Sequence, residues 1–427
     1  MAGMQISAVC VLLYAAGALS AATLDGKWEV TVTQFGEPDY ARLTLKMDGG
    51  KVAGQWDELA VEGDAHGDTI TFAAHEKDGK VYGEFKGTLL EGVLVGTAKV
   101  RGESASWTAQ RPLERPAGAR KEHRFFTRTY HRQFSGAIPA VMRIFPGDTV
   151  ATSTIDAEGI DGSGTRRSQG GNPLTGPFYI ENAWPGDTLV VRFTRIRLNR
   201  DSAIQSDSIV GNALEPYYFK EVKRADGFDS DWKLDRDRGT ATLKNPSEKL
   251  KKFALPVAPM LGCVGVAPPG NQSFSSGHLG SFGGNMDYNQ MREGVTLYLP
   301  VYHPGALLFV GDGHAVQGDA ELTGNALETS MDVEFSVDVV EGHAPDMPRA
   351  ENSDYLMAMG IGGSLQDALQ AATTNLGQWL ERDYKLNASE VAIVLGTSVR
   401  YDIAEIVDGP LNIAAKVSKS VLSQIGR

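Results

Sequence analysis

The sequence has few cysteines, no excess of positive charge and no long apolar run after its N-terminus. Of its two cysteines, Cys10 lies in the apolar N-terminal segment, so the rest of the chain has only Cys263 and no internal disulfide. There are 41 Lys and Arg residues against 53 Asp and Glu, a formal charge of -12 over 427 residues. Nucleic acid is therefore not expected as a partner, because phosphate backbones bind clustered positive charge. No membrane span is expected in the mature chain, because a span needs roughly 18 or more apolar residues in a row.

The first 22 residues differ from the rest of the chain. Residues 6–19 are nearly all apolar, and small residues follow at 20–22, as in the core and cleavage region of a secretory signal peptide. The run is too short to cross a bilayer. Its start lacks Lys and Arg, so a buried N-terminal helix is the alternative. We predict a signal peptide over residues 1–22 and a periplasmic or secreted protein.

Residues 23–112 read as short strands separated by glycine turns. Residues 28–33 and 42–46 alternate between apolar and polar side chains, and Asp48-Gly-Gly50 separates two such runs. Strands at this spacing predict a small antiparallel barrel or sandwich. The size and the Asp25-Gly-Lys-Trp28 opening resemble the lipocalin-like extensions of secreted bacterial proteins. We interpret this part as an accessory or ligand-cradling domain without a catalytic cluster.

Residues 113–427 are predicted to form a second domain that is also rich in strands. Residues 111–132 carry seven Lys and Arg and are interpreted as a solvated linker, with a basic binding patch as the alternative. The phrase Pro-Gly-Asp-Thr occurs at 146–149 and again at 185–188, which suggests a duplication within a β-sandwich. Residues 331–340 alternate as a half-buried strand does, and helices are predicted after Ser364 and Asn387. The predicted fold class is mainly β with C-terminal helices (α+β).

The strongest chemical signal is a glycine-rich segment, Gly311–Glu321, that follows an apolar strand ending at Val310. It delivers Asp312, His314, Gln317, Asp319 and Glu321 into a loop, a common way to build a metal or acid–base site. The residue types suit zinc with mixed ligands, or calcium if oxygen atoms dominate. The alternative is a glycine-rich turn with one capped histidine.

Five motifs in chain order carry a resemblance to a known family. They are the segments 175–187, 259–268, 283–287, 297–301 and 311–321. Together they resemble the acetamidase/formamidase family of linear-amide hydrolases, and the resemblance covers about residues 123 to 425. It implies a β-rich, metal-assisted hydrolase that releases ammonia and a carboxylate from short amides such as formamide and acetamide.

The resemblance also implies a set of site residues. Asp287, His314 and Glu328 are expected to hold a divalent metal, with zinc first and calcium as the alternative. Glu321 is expected to shuttle protons, Gln317 to orient the substrate, and His314 to take part in catalysis. The expected substrate-binding residues are Asn172, Gly283, Gly284 and Asn285. A small-molecule amide is the expected partner, and a homo-oligomer (a dimer) the expected assembly.

Two departures from the family pattern leave other functions open. Asn172 stands where the family commonly has His, and Arg166-Arg167 interrupts a segment that is usually Gly-Gly. The alternatives are an enzyme acting on a larger amide and a secreted small-ligand-binding protein without turnover. Three nearby residues, His131, Asp156 and Asp161, are interpreted as structural. We interpret Cys263 as inert, because it lies in an apolar run without a neighbouring base.

Overall fold

The computed structural model describes residues 24–426, which form two units that divide between Pro112 and Leu113. The predicted signal peptide lies outside the described residues. Across residues 24–426, every helix is too short or too polar to span a bilayer.

The first unit is a closed barrel of eight antiparallel strands, in which each strand pairs with the next and the first pairs with the last. This confirms the predicted small antiparallel barrel. Its strands are β1 (Gly26–Gln34), β2 (Glu37–Asp48), β3 (Lys51–Trp56), β4 (Leu59–His66), β5 (Thr69–His75), β6 (Val81–Leu90), β7 (Val93–Val100) and β8 (Glu103–Gln110).

Aromatic side chains from four strands meet inside the barrel. Trp56 of β3 packs on Phe85 of β6 with ring centroids 4.3 Å apart, and Phe85 stacks on Phe72 of β5 at 4.8 Å. Trp107 of β8 meets Phe72 edge-on at 5.7 Å. All four residues are buried. These rings occupy the interior that a ligand-cradling barrel would leave empty, so the interior serves as a packed core.

The second unit combines several sheets with four short or medium helices, all within residues 113–426. Its strands are β9 (Glu122–Arg124), β10 (Gln133–Ser135), β11 (Met142–Ile144), β12 (Thr149–Ser153), β13 (Leu174–Ile180), β14 (Thr188–Leu198), β15 (Ser202–Ala203), β16 (Trp232–Asp235), β17 (Thr240–Leu243), β18 (Ala254–Pro256), β19 (Met260–Gly265), β20 (Ser273–Ser275), β21 (Leu279–Gly280), β22 (Gly283–Asn285), β23 (Thr296–Pro300), β24 (Leu308–His314), β25 (Glu328–Thr329), β26 (Met331–Val340), β27 (Arg349–Glu351), β28 (Tyr355–Gly362), β29 (Arg400–Glu405) and β30 (Leu411–Ser418). Its helices are α1 (Pro216–Glu221), α2 (Leu365–Tyr384), α3 (Ala388–Ser398) and α4 (Lys419–Leu422), and 3-10 turns occur at Gly211–Ala213 and Asp319–Glu321.

Two large sheets form the sandwich. One has nine strands in the order β29-β30-β28-β27-β23-β14-β26-β12-β9. The other has seven, in the order β11-β13-β24-β19-β22-β21 with β25 added beside β24. Phe178 of the seven-stranded sheet packs edge-on against Phe335 of the nine-stranded sheet, with ring centroids 5.4 Å apart. The apolar sides of β26 and β13 therefore face each other, which confirms the predicted sandwich with C-terminal helices.

The two Pro-Gly-Asp-Thr phrases form equivalent turns. In each, the buried Asp accepts a hydrogen bond from the backbone N–H three residues before it: Phe145 to Asp148 at 3.1 Å, and Trp184 to Asp187 at 2.9 Å. The strands that follow, β12 and β14, pair with opposite edges of β26. The repeated phrase therefore marks a repeated turn on either side of one central strand.

The C-terminal helices begin where their capping residues predict. Ser364 caps α2, and Asn387 forms a capping box with Glu390 at the start of α3. Helix α2 packs closely on β28, and a Cβ atom at Gly360 would lie 2.1 Å from the Ala368 carbonyl oxygen. Glycine at this position lets the helix backbone approach the strand.

The linker interpretation of residues 111–132 is wrong for part of that segment. Glu122–Arg124 forms strand β9 and pairs with β12, and the Lys121 N–H donates to Asp148 at 2.8 Å. The Arg115 guanidinium also pairs with Asp148 at 2.9 Å. Several of the basic residues thus belong to the edge of the nine-stranded sheet.

Candidate metal centre

The candidate site lies where strands of the seven-stranded sheet end. Strand β24 is buried along its whole length and carries Asp312 and His314 at its C-terminal end. Glu328 begins β25, which pairs with β24, and opposes His314 directly. Asp287 follows β22, and Glu321 lies in the 3-10 turn after β24. Strand pairing therefore brings these residues together from separate motifs.

His314 lies at the centre of a buried group of carboxylates. Its Nε2 atom is 3.2 Å from Glu328 Oε1 and 3.4 Å from Asp312 Oδ2. Its Nδ1 atom is 3.9 Å from Asp287 Oδ1. Asp287, Asp312 and His314 each place one ligand atom within 4.8 Å of the others, and so do His314, Glu321 and Glu328. The predicted metal ligands Asp287, His314 and Glu328 therefore lie together, and Asp312 joins them.

Gln317 determines how the imidazole of His314 is protonated. The Gln317 amide nitrogen donates to the backbone oxygens of Asp287 and Ala404. Its Oε1 atom lies 2.8 Å from His314 Nδ1 and accepts the proton of that nitrogen. In the neutral imidazole, Nε2 then carries the lone pair and faces the carboxylates, which is the arrangement of a metal-binding histidine. Both ends of the Gln317 amide are used within the protein, and its expected role as a substrate orienter stays a prediction.

Several buried polar atoms of this group have no hydrogen-bond partner. Within residues 24–426 there are six such side-chain atoms, and four belong to the cluster: Asp287 Oδ1, Asp312 Oδ1, His314 Nε2 and Glu328 Oε2. An unpartnered buried polar atom costs about 1–3 kcal/mol, and more if it is charged. A cation held among these four atoms would satisfy all of them.

Glycine at position 262 leaves open the space beside the cluster. A Cβ atom there would lie 2.2 Å from Asp287 Oδ1, 2.5 Å from Asp312 Oδ2 and 3.1 Å from the His314 ring. Any side chain at this position would occupy the space that the three ligand atoms share. The residues and the space around them fit a divalent cation.

The electrostatics of the cluster support the same conclusion. Burial, together with the neighbouring Glu321 carboxylate, raises the pKa of Asp287 well above its usual range. Burial likewise raises the pKa of Glu321 strongly and that of Glu328 to about 7. Burial alone would lower the pKa of His314, but the carboxylates of Glu328 and Asp312 raise it. Because these buried carboxylates repel one another, the metal-free cluster takes up protons. A divalent metal would replace those protons.

Three of the acidic residues have left-handed backbone conformations that side chains rarely adopt. Their φ angles are 40° at Asp287, 56° at Asp312 and 49° at Glu321, and Asn172 has 50°. Such residues cost of order 1 kcal/mol or more each and concentrate at functional sites. The backbone thus has an unfavourable conformation at three residues of the candidate metal centre.

Two asparagines connect the carboxylates. The Asn172 Nδ2 atom donates to Asn285 Oδ1 at 3.0 Å and to Asp312 Oδ2 at 3.2 Å. Asn285 in turn donates to Asp287 and, at 2.7 Å, to Asp408 Oδ2. These two expected substrate-binding residues lie in the hydrogen-bond network around the ligands.

The expected substrate-binding glycines are buried between strands. A Cβ atom would lie 2.4 Å from the Val264 oxygen at Gly283 and 2.3 Å from the His278 oxygen at Gly284. Both have positive φ angles, 86° and 101°. The structure therefore places them as residues that let β22 approach its neighbours closely.

Cys263 is closer to the site than its apolar sequence context suggests. Its thiol donates to Asn285 Oδ1 at 2.6 Å and lies 3.9 Å from Asp312 Oδ2, so the expectation that no base is near was wrong. Burial and then the Asp312 and Asp287 carboxylates raise the pKa of the thiol well above its usual value. The thiol therefore stays protonated, which agrees with an inert cysteine.

Sequence reasoning missed an acidic segment near the C-terminus. Asp408 accepts from Asn285, and burial raises its pKa. Glu405 is fully buried, its Oε1 atom has no partner, and burial raises its pKa to about 7. Glu405 is the last residue of β29 and Asp408 follows that strand, more than 80 residues after His314, and no motif in the sequence marks them.

The loop residues interpreted as structural have partners outside the cluster. Asp161 accepts from the backbone N–H groups of Ser163 and Thr165 within its own loop. Asp156 pairs with Arg200 at 2.7 Å. His131 pairs through its backbone with Leu174.

The second unit is similar in sequence to a known protein family. Residues 280–418 match the sequence profile of the Acetamidase/Formamidase family. The resemblance to the acetamidase/formamidase family is confirmed. The matched segment contains all five members of the two ligand groups, and the Asn172 departure lies outside it.

Solved structures and a curated protein show the same resemblance. A candidate acetamidase/formamidase from the thermophile Thermoanaerobacter tengcongensis has a similar structure, with TM-score 0.61 and 25% identity, covering 72% of this chain and 99% of that one. Acetamidase from Bacillus halodurans shows the same fold, with TM-score 0.60 and 24% identity, over 71% of this chain and 100% of that one. A candidate formamidase of Schizosaccharomyces pombe is 25% identical over 249 residues, 45% of this chain. The matched region spans only 59% of that curated relative.

Proposed function

We propose that the protein is a metal-dependent amidase that hydrolyses a short linear amide to ammonia and a carboxylate. The observation that carries this proposal is the buried group around His314, with four unpartnered ligand atoms in a unit of the acetamidase/formamidase family. The relatives are named as acetamidases and formamidases, which supports the class of substrate.

The residues that would hold the metal are His314, Asp287, Asp312 and Glu328. One imidazole nitrogen among carboxylate oxygens suits zinc first, and calcium is the alternative because oxygen atoms dominate. When bound, such an ion lowers the pKa of a bound water and polarises the amide carbonyl.

Glu321 is the residue best placed to move a proton. It is buried, yet among residues 24–426 no hydrogen bond to its carboxylate is found, and its pKa is raised. Hydrolysis adds the hydroxyl of water to the carbonyl carbon and a proton to the nitrogen as the C–N bond breaks. A buried carboxyl whose pKa is raised holds a proton more readily than an exposed one, which suits Glu321 to the role of proton shuttle.

Gln317 and Asn285 act by positioning. Gln317 keeps the proton of His314 on Nδ1, so that Nε2 remains available as a ligand. Asn285 donates to Asp287 and Asp408 and thereby fixes the orientation of an acid next to the site. Neither residue needs to touch the reacting atoms for its loss to lower activity.

Asn172 supports a second candidate, the same site acting on a larger amide. Its amide donates to Asp312 where the family commonly has an imidazole, so the polar groups offered to a substrate differ. A third candidate is a small-ligand-binding protein without turnover, which the same departure supports.

The test is ammonia release from formamide, acetamide and longer linear amides, with metal content measured on the same protein. We expect turnover that is lost on chelation and restored by zinc. His314→Ala should abolish both turnover and metal content, whereas His66→Ala, on an exposed barrel strand end, should change neither. Folded, metal-replete protein that turns over none of the amides would refute the enzyme and favour the binding protein.

We also propose that the chain is exported and that it assembles as a homodimer. Export is supported by the apolar segment before residue 22, and the assembly by the frequency of two-fold oligomers. The N-terminal sequence of protein recovered from the producing cell, and its mass in solution by light scattering, test these two points. An unprocessed N-terminus or a monomeric mass would contradict them.

A further inference from the structure

A polar cavity lies in the same unit as the candidate metal centre, and none of its lining residues belongs to that centre. It has a volume of about 700 Å³. Its walls include Arg349 of β27, Tyr298 of β23 and Trp379 of α2, with Leu386 and Ile425 as apolar members.

Arg349 is a buried cation without an anionic partner. Its side chain is only 4% exposed. Its Nε atom donates to Asn375 Oδ1 at 2.6 Å and its Nη2 atom to the Asn375 carbonyl at 3.1 Å, both of them neutral acceptors. No carboxylate oxygen of residues 24–426 lies within 4.0 Å of the guanidinium. Burial lowers the pKa of Arg349 to about 10, so the group is still charged at neutral pH.

The orientation of Arg349 is set by an asparagine placed inside a helix. Asn375 is 2% exposed, and its amide nitrogen donates to the carbonyl oxygens of Met347, Pro348 and Met359 at 3.0–3.3 Å. Its Oδ1 atom is therefore left to accept from Arg349. The guanidinium also lies against Trp379, 5.4 Å from the ring centroid. These contacts hold the cation in place before any ligand arrives.

Two of the acids that line the same cavity already have cationic partners. Glu351 accepts from Tyr298 and pairs with Lys419 at 2.6 Å. Asp383 pairs with Arg382 at 2.6 Å and accepts from the Trp379 indole N–H at 2.8 Å.

Two further charged residues line the cavity, Glu390 and Lys385. Glu390 accepts the backbone N–H of Asn387 in the capping box of α3. Lys385, an exposed residue at the edge of the cavity, has no ion pair within the part of the chain that the structure describes. Glu390 and Lys385 are both exposed and neither has an ion pair within the described residues, so the buried lining charge without a charged partner is that of Arg349. Because a buried charge is normally paired, the cavity lacks an anion.

We propose that this cavity binds a small organic carboxylate that has an apolar or aromatic body. The carboxylate lies against Arg349, whose planar guanidinium can donate two parallel hydrogen bonds to it. The body of the ligand packs on Tyr298, Trp379 and the aliphatic side chains of Leu386 and Ile425. This site is independent of the proposed amidase reaction.

The test is calorimetric titration of the full chain with phenylacetate. The titration uses a His314→Ala background, so that the carboxylate cannot bind at the metal centre. We expect saturable binding of phenylacetate, and at least tenfold weaker binding of 2-phenylethanol, which lacks the carboxylate, and of inorganic phosphate, which lacks the apolar body.

Two variants and one control separate the site from general effects on folding. Arg349→Lys should weaken phenylacetate binding at least tenfold, because an ammonium cannot form the paired hydrogen bonds. Leu386→Trp, which fills the cavity without touching Arg349, should abolish binding while unfolding at the same denaturant concentration. Arg382→Lys, the same change at an arginine that is already paired, should shift the affinity less than threefold.

Three outcomes would overturn the proposal. They are absence of saturable binding to folded protein, equal binding of phosphate and phenylacetate, and binding that is unchanged by both Arg349→Lys and Leu386→Trp. Equal binding of phosphate would mean that Arg349 takes small anions in general and that the apolar body of the ligand is not recognised.

Discussion

The two units of this protein have cores of opposite kinds. The barrel core is built from aromatic rings of Trp56, Phe72, Phe85 and Trp107, and the one polar atom of Trp107 donates to the backbone oxygens of Lys86 and Thr97. The core of the second unit contains a group of acids around His314. All six unpartnered buried side-chain atoms found in residues 24–426 belong to the second unit.

This difference teaches how stability and function are divided along the chain. A core in which every polar atom has a partner contributes only to folding, and substitutions there are expected to destabilise. A core with unpartnered acids is less stable than it could be until a cation binds. The same kind of measurement should therefore give results of opposite sign in the two units.

The largest effect is expected in the barrel. Trp107→Ala removes a buried ring that contacts Phe72 and Phe85 and should destabilise the barrel by about 3–5 kcal/mol. Denaturant unfolding followed by tryptophan fluorescence measures this loss. The metal content of the chain should not change, because all candidate ligands lie between residues 287 and 328. A metal content that falls together with barrel stability would show that the two cores are not separate.

The next effect has the opposite sign. Asp312→Asn removes one negative charge from the crowded acids with little change in shape, and Asp312 Oδ1 has no hydrogen-bond partner, so the metal-free protein should become more stable by about 1–3 kcal/mol. The same variant should bind metal at least tenfold more weakly, because a ligand is lost. Unfolding in the presence and absence of chelator measures both. Destabilisation of the metal-free protein would indicate that the Asp312 charge is satisfied without a metal.

An effect of similar size is expected from Glu405, the acid that sequence reasoning missed. Burial raises the pKa of Glu405 to about 7 in the folded protein, from an ordinary value of 4.5. The folded state therefore binds more protons than the unfolded state between these two pH values. Stability should therefore fall as pH rises from about 4.5 to 7 and stay level above 7. Glu405→Gln should flatten this slope in metal-free protein and stabilise it at pH 8 by about 1–3 kcal/mol.

The control for this prediction is an acid that is exposed and paired. Glu58→Gln, on the surface of the barrel where Glu58 pairs with Lys77, should leave the pH dependence of stability unchanged. If Glu405→Gln leaves the slope between pH 4.5 and 7 unaltered, then Glu405 is not the group that takes up the proton.

Local patterns in the sequence predict the barrel, the helices and part of the site. Alternating strands and glycine turns are short-range signals, so strands of the barrel and the start of α2 at Ser364 could be predicted. His314 and Asp312 could be located because they end an apolar strand. The resemblance to the family added Asp287 and Glu328, which the topology then brings beside His314.

The remainder depends on contacts between distant parts of the chain. Asp408 reaches the site through Asn285, which is 123 residues earlier, and no periodicity marks that contact. The role of Gln317 depends on the backbone oxygens of Asp287 and Ala404, which use both hydrogens of its amide. Cys263 looks isolated in its apolar segment, and only strand pairing places it next to Asn285.

The left-handed backbone at Asp287, Asp312 and Glu321 also bears on how such a site can be lost over generations. Glycine adopts these φ angles at lower cost than residues with a side chain. A copy of the gene released from selection for the proposed activity would therefore gain stability by replacing these acids with Gly. Decay of the activity and strengthening of the fold would proceed through the same mutations, so inactive descendants of this scaffold should persist as stable proteins.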